Sequence, residues 1–201
     1  MTAGSGIIHS EDVRTKGKVR LLQLWLTLPK NERWTAPDFQ VIQADLVPVR
    51  HEPGAEVRIY SGSSGRLQSD TRNHVSVTMV EINLDAHASA EQEIPASYNG
   101  FAFVIDGSVQ IGETALTVGQ VGWLNHLNGT AMSALRVVAG ESGARLVVYA
   151  GQPQGDPIVS YGPFVGDTKQ GIARLFAEYQ AGRFPRLSEL NSSKTQMVRS
   201  Q

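Results

Sequence analysis

The chain has 201 residues, with 18 Lys and Arg against 19 Asp and Glu, a formal net charge of -1, and no cysteine. This length can bury a sizeable core. The scattered cations form no basic stripe for direct nucleic-acid contact, and without thiols there is no disulfide, cysteine nucleophile, iron–sulfur cluster or cysteine zinc site. The opening Met1-Thr2-Ala3-Gly4-Ser5 has neither the basic start nor the apolar core of a signal peptide, and no run approaches the ~20 apolar residues of a membrane span. The expectation is a soluble, cytoplasmic protein with no membrane partner. Asn128-Gly129-Thr130 and Asn191-Ser192-Ser193 match the glycosylation pattern, but without secretion they are chance matches.

In chain order, Gly4 and Gly6 suit a tight turn, and Ile7-Ile8 begin an apolar run expected to be a strand over 7–13. His9 and Glu11 follow at i and i+2. Strand alternation would put both on one face, their roots about 6 to 7 Å apart, within reach of one cation. An imidazole nitrogen with a carboxylate oxygen suits a divalent transition metal rather than calcium or magnesium. Two ligands do not make a tight site, so others must come from elsewhere in the fold or from a partner chain; the bland alternative is polar surface.

Leu21 to Leu28 alternates and is stopped by Pro29, which predicts a strand with one buried face. Residues 30–38 read as a polar loop, with Trp34 and Phe39 as lids on a core. Short strands are expected over 39–42 and 56–61, with a domain boundary near residue 44. Val75 to Leu84 is β-rich. Phe101 to Ile105, the Asp106-Gly107 turn dipeptide and Val109 to Ile111 read as a hairpin. Further strands are expected over 115–118, 123–124, 135–139 and 145–150, with a turn at 141–143, and this succession predicts a closed sandwich or barrel. One helix is predicted over 168–181, capped by Asp167 or Thr168, with Ile172, Leu175, Phe176 and Tyr179 at helical spacing and Gly182 at its end. His74 and His126 read as satisfied structural histidines and the aromatic residues as core. The polar tail from 191 to 201 reads as disordered.

Four stretches then carry a resemblance. Met1-Thr-Ala-Gly-Ser-Gly-Ile-Ile-His-Ser-Glu11, Gln23-Leu-Trp-Leu-Thr-Leu-Pro29, Ala150-Gly-Gln-Pro153 and Tyr161-Gly-Pro-Phe-Val165, with Glu178-Tyr-Gln-Ala-Gly-Arg-Phe184 beyond them, resemble pirins in order and approximate spacing. The resemblance implies a mainly β protein, a cupin (double-stranded β-helix, jelly-roll) barrel with a C-terminal helix, preceded by a partial first cupin. Residues 1–44 would be the closing part of the first barrel and 45–190 the second cupin domain. It implies that His9 and Glu11 are two of four ligands to a divalent transition metal, iron foremost, with Glu11 also the candidate base. The other two would come from an upstream His-x-His, and none of His51, His74, His87 and His126 lies in such a pair. In the second cupin the ligand positions are usually lost, in keeping with Ser97-Tyr98-Asn99 leading into the Phe101 strand. The implied function is a quercetin 2,3-dioxygenase-type oxidoreductase, impaired in this chain, with a flavonoid-like small molecule as substrate. The alternative is a non-enzymatic binding or regulatory module that engages a protein partner in the manner of a transcription cofactor. Open edges on strands at 7–13 and 19–28 would favour a homodimer.

Overall fold

The computed structural model describes residues 1–10 and 16–190. Glu11, the 11–13 part of the first expected strand and the tail at 191–201 lie outside the described residues. Among the described residues the chain divides into two compact units, one comprising 42–153 and the other 1–41 with 154–190.

The 42–153 unit is built from ten strands: β1 (Val49–Glu52), β2 (Ala55–Ser61), β3 (Ser63–Ser64), β4 (Leu67–Gln68), β5 (Val77–Leu84), β6 (Ser89–Pro95), β7 (Asn99–Ile111), β8 (Thr114–Thr117), β9 (Val121–Leu124) and β10 (Met132–Gly151). Their main sheet runs β1-β2-β5-β10-β7-β8, with β6 joined to β10 and β9 to β7. All these pairings are antiparallel. β10 is the spine: its first half pairs with β6 and its second half with β5, while β7 follows it on both sides of a bulge. Sharing one strand between two halves wraps the sheet round a single aliphatic core.

The alternation that makes the strands also makes this core. In β2, Ala55, Val57, Ile59 and Ser61 are buried while the residues between them are half-buried. In β5, Val80 and Ile82 face inward with Val104 of β7 and Leu146 and Val148 of β10, all fully buried. Gln92 is the polar exception. Its side-chain oxygen accepts from Ser64 Oγ at 2.7 Å, and its amide nitrogen donates to the carbonyls of Ser63 and Glu93, so its burial leaves no hydrogen-bonding group wasted.

The expected hairpin at Asp106-Gly107 and the expected turn at 141–143 are both absent. β7 runs through the first and β10 through the second, and the two sites oppose each other as a bulge. Gly107 and Gly143 adopt φ of 69° and 75°, and a Cβ on Gly107 would stand 2.1 Å from the Gly143 carbonyl oxygen. The left-handed glycines signal a departure from the pleat; pairing on both sides makes it a bulge rather than a reversal. Chain reversal comes instead at Gly112-Glu113, between β7 and β8.

The other unit holds a small hairpin of β11 (Val159–Tyr161) and β12 (Phe164–Gly166), followed by α1 (Lys169–Gln180). Thr168 caps the helix, its side-chain oxygen accepting from the Gly171 N–H at 3.0 Å, and Gly182 ends it at φ 66°. Ile172 and Leu175 are buried with Phe184, and Ile8, Val159, Phe164 and Phe176 pack against them. Phe164 meets Phe176 edge-on, ring centroids 4.8 Å apart.

Two expected strands did not form. Residues 21–28 belong to no sheet, and Leu21, Leu24, Trp25 and Leu26 are exposed, Trp25 to 60%. A strand exists only as part of a ladder, and among the described residues no backbone pairs with this stretch. Residues 39–42 likewise form no strand; an isolated bridge joins Asp38 to Thr2. Trp34 is 41% exposed rather than a lid, Trp123 is 78% exposed rather than core, and His126 is exposed. Among the described residues no helix is long and apolar enough to cross a membrane.

Candidate functional site

The N-terminal ribbon is fastened at both ends. Thr2 N–H donates to the Asp38 carbonyl at 2.7 Å and Asp38 N–H to Thr2 at 3.0 Å, while Ser5 N–H donates to Thr35 at 2.8 Å. Farther along, Ile8 N–H donates to the Pro185 carbonyl at 2.9 Å and receives Leu187 N–H on its own carbonyl at 2.8 Å. Two glycines make this path sterically open. Gly4 passes so close to Thr35 that a Cβ would lie 2.1 Å from its carbonyl oxygen, and Gly6, at φ 127°, would put one 2.5 Å from the Phe184 ring. His9 therefore follows directly on an anchored residue, and it is exposed. Instead of a strand over 7–13, the described part forms a single parallel bridge from Ile8 to Arg186.

Arg33 anchors the loop after Pro29. Its Nη2 donates to the Leu28 carbonyl and to Asp156 Oδ2, both at 3.1 Å, and Nη1 lies 2.6 Å from Asp167 Oδ2. The Nη1 contact is an ion pair without hydrogen-bond alignment. The next residue, Trp34, carries the Arg174 guanidinium 4.4 Å from its ring centroid. Arg33 and Asp156 are 123 positions apart in sequence, and no local pattern announces such a pair.

In the barrel unit the core cluster consists of apolar side chains. Tyr98, which precedes β7, packs against the aliphatic core. Among the described residues no three His, Asp or Glu side chains gather to hold a metal. His51 is exposed on β1 and lies 4.0 Å from Glu56, and His87 sits in a turn at φ 61°. The described residues alone do not fit a metal centre: several imidazole or carboxylate donors must converge, and among the described residues they do not.

The outer face of the sheet carries a different constellation. Glu81 is buried, receiving Arg145 Nε at 2.9 Å, Asn83 Nδ2 at 3.2 Å and the Tyr60 hydroxyl at 3.2 Å. Burial alone would raise its carboxyl, but the Arg145 and Asn83 hydrogen bonds outweigh this and hold it below the ordinary value. The same contact raises the Arg145 guanidinium, whereas burial and then the Glu81 charge push the Tyr60 phenol up. On this face Trp123, Phe101 and Tyr149 form a row across β9, β7 and β10, with centroids 5.4 and 5.1 Å apart.

A family model, the Pirin C-terminal cupin domain, matches residues 79–185. The chain belongs to the pirin family. It is 32% identical to Pirin-like protein 2 of Arabidopsis thaliana over 91% of this chain and 58% of that protein. The structure of GK1651 from Geobacillus kaustophilus, 33% identical, superposes with a TM-score of 0.62 over 65% of this chain and 53% of the other. A quercetin 2,3-dioxygenase from Acinetobacter baumannii, 24% identical, gives 0.71 over 78% and 54% and establishes the likeness of fold. The barrel is thus a cupin. The chain spans about 60% of the length of the first curated relatives it matches.

The pirin signature stretches have a shared structural role. The ribbon at 1–8, Tyr161 to Val165 and Glu178 to Phe184 converge in one unit, where Ile8, Phe164 and Phe184 share an apolar cluster. Of the two sequence-derived ligands, the structure describes His9 directly after that ribbon, while Glu11 lies outside the described residues.

Proposed function

We propose that this chain is part of a pirin of the quercetin 2,3-dioxygenase type, a metal-dependent oxidoreductase acting on a flavonoid-like small molecule in the cytoplasm. In this reading residues 1–44 close a first cupin barrel and 45–190 are the second. His9 and Glu11 are two ligands of a divalent transition metal, iron foremost, whose remaining ligands come from beyond the described residues. The carrying observation is the clamp on Ile8: two backbone hydrogen bonds fix the residue before His9 and leave the imidazole at an exposed position. With His9 and Glu11 as the two ligands assigned in this chain, the chain alone should hold metal poorly and turn over little flavonol. Elemental analysis after dialysis, with quercetin consumption followed by absorbance, tests this. Substoichiometric metal and no turnover are expected. Near one tightly held transition metal per chain would overturn the impairment, and retention of that metal in His9→Ala would overturn the ligand assignment.

A second reading makes the chain a non-enzymatic binding or regulatory module. It is supported by the aliphatic filling of the cupin barrel and by the aromatic row ending at exposed Trp123, a surface suited to a protein partner. Supplying the chain with metal and a first-cupin domain of a pirin relative separates the readings, since recovered turnover favours the enzyme.

A further inference from the structure

Two clefts of the barrel unit are large enough to hold a small molecule. One, of about 590 Å³, is lined by Glu52, Glu56, Asp85 and Asp106 with Arg145; it is an acidic cluster with no sign of a ligand. The other, of about 510 Å³, reaches from Gly62 along residues 68–78 to Tyr98 and Met132, and its volume suits a small-molecule site.

Its wall is held in place by its own hydrogen bonds. Ser69 Oγ donates to the Tyr60 carbonyl at 2.9 Å, and Thr71 Oγ1 donates to the same oxygen. Asn73 Nδ2 donates to Ser61 Oγ, which donates to the Val77 carbonyl, each at 2.7 Å. A wall fixed before binding spares a ligand the cost of ordering it.

The lining also states which chemistry it would accept. Hydroxyls and amides dominate, from residues such as Gln68, Ser69, Thr71, Asn73 and Thr78, while Tyr98, Met132 and Pro95 give an apolar side. Among the described lining residues there is one carboxylate, Glu93, one imidazole, His74, and no Lys or Arg. A phosphate or carboxylate would find no guanidinium or ammonium there. A purely apolar ligand would strip water from the hydroxyls without replacing its hydrogen bonds. A ring bearing several hydroxyls meets both conditions, its hydroxyls bonding to the polar wall and its face lying against Tyr98 and Met132. We infer that this cleft binds a neutral, polyhydroxylated ring compound, a sugar or a polyphenol, at a site separate from His9.

The test is titration of the ¹⁵N-labelled chain with catechin and, separately, with maltose, followed by amide chemical shifts. Shifts confined to 62–78, 93–98 and 132 are expected with at least one probe. A response to catechin alone assigns the polyphenol, and any response to maltose assigns the sugar. Thr78→Val should weaken binding about threefold to tenfold, the loss of one hydrogen bond. Gln68→Ala, at an exposed position, gives the same reading should Thr78→Val fail to fold. The inference is overturned by the absence of shifts with both probes up to about 10 mM, beyond the Kd of a weak ligand. Shifts centred elsewhere, or unchanged affinity in the folded variants, overturn it equally. His9→Ala should bind the probes as the parent does, so failure here is distinguishable from failure of the metal reading.

Discussion

At the scale of single residues, Glu81 is a buried carboxylate whose ionisation is coupled to folding. Its carboxyl is held below the ordinary value in the folded chain, so the folded state favours the charged form. That stability is present above the unfolded carboxylate pKa and is lost as pH falls through the folded one. Arg145 is half exposed at its side chain, so screening reduces the pair's worth, and Glu81→Gln should cost about 1 kcal/mol at neutral pH. Denaturant unfolding of both proteins from pH 7 down to pH 3 should show the gap narrowing below about pH 4, the ordinary carboxylate range. A gap independent of pH would mean packing rather than charge. Gly6 is the second sensitive position. Its φ of 127°, with the Phe184 ring 2.5 Å from where a Cβ would stand, leaves no room for a side chain. Gly6→Ala should destabilise its unit by about 1–3 kcal/mol, the usual cost of a strained backbone position, visible as a lowered thermal midpoint.

At the scale of elements, α1 and the long strands show two kinds of legibility. The helix was readable because its signals are local: a Thr cap, apolar residues at i, i+3, i+4 and i+7, and Gly182. Thr168→Ala should therefore cost about 1 kcal/mol by thermal unfolding, since it orphans the Gly171 N–H. β2 and β5 were readable from local composition too, as short β-rich stretches. The length of β7 and β10 was not. Asp106-Gly107 and Ser142-Gly143 look like hairpin turns by composition, yet each is half of one bulge, which exists because the two strands stay paired beyond it. The stretch 21–28 failed in the opposite direction, alternating like a strand but finding no ladder among the described residues.

At the scale of the whole molecule, the 19–28 stretch leaves Val19, Leu21, Leu22, Leu24, Trp25 and Leu26 exposed. Contiguous apolar surface of this kind drives association, and the free chain should be dimeric or larger by light scattering, with Trp25→Lys shifting it toward monomer. A monodisperse monomeric parent chain would contradict this.

The sequence by itself determined the family, the β-rich class, the helix and the residue types available for metal binding, because each is written in short-range patterns or in motif order. It marked Arg33 in no way, because the pairing with Asp156 and Asp167 exists only after the chain has closed on itself. Tertiary structure alone decided that Gly107 and Gly143 make a bulge, that Ile8, Phe164 and Phe184 from three signature stretches share one apolar cluster, and that polar side chains from β3, β4, β5 and the 69–76 loop line one cleft with Tyr98 and Met132. The reason is common to all three: pairing partners and enclosed volumes are properties of segments far apart in sequence, which only the folded register brings into contact.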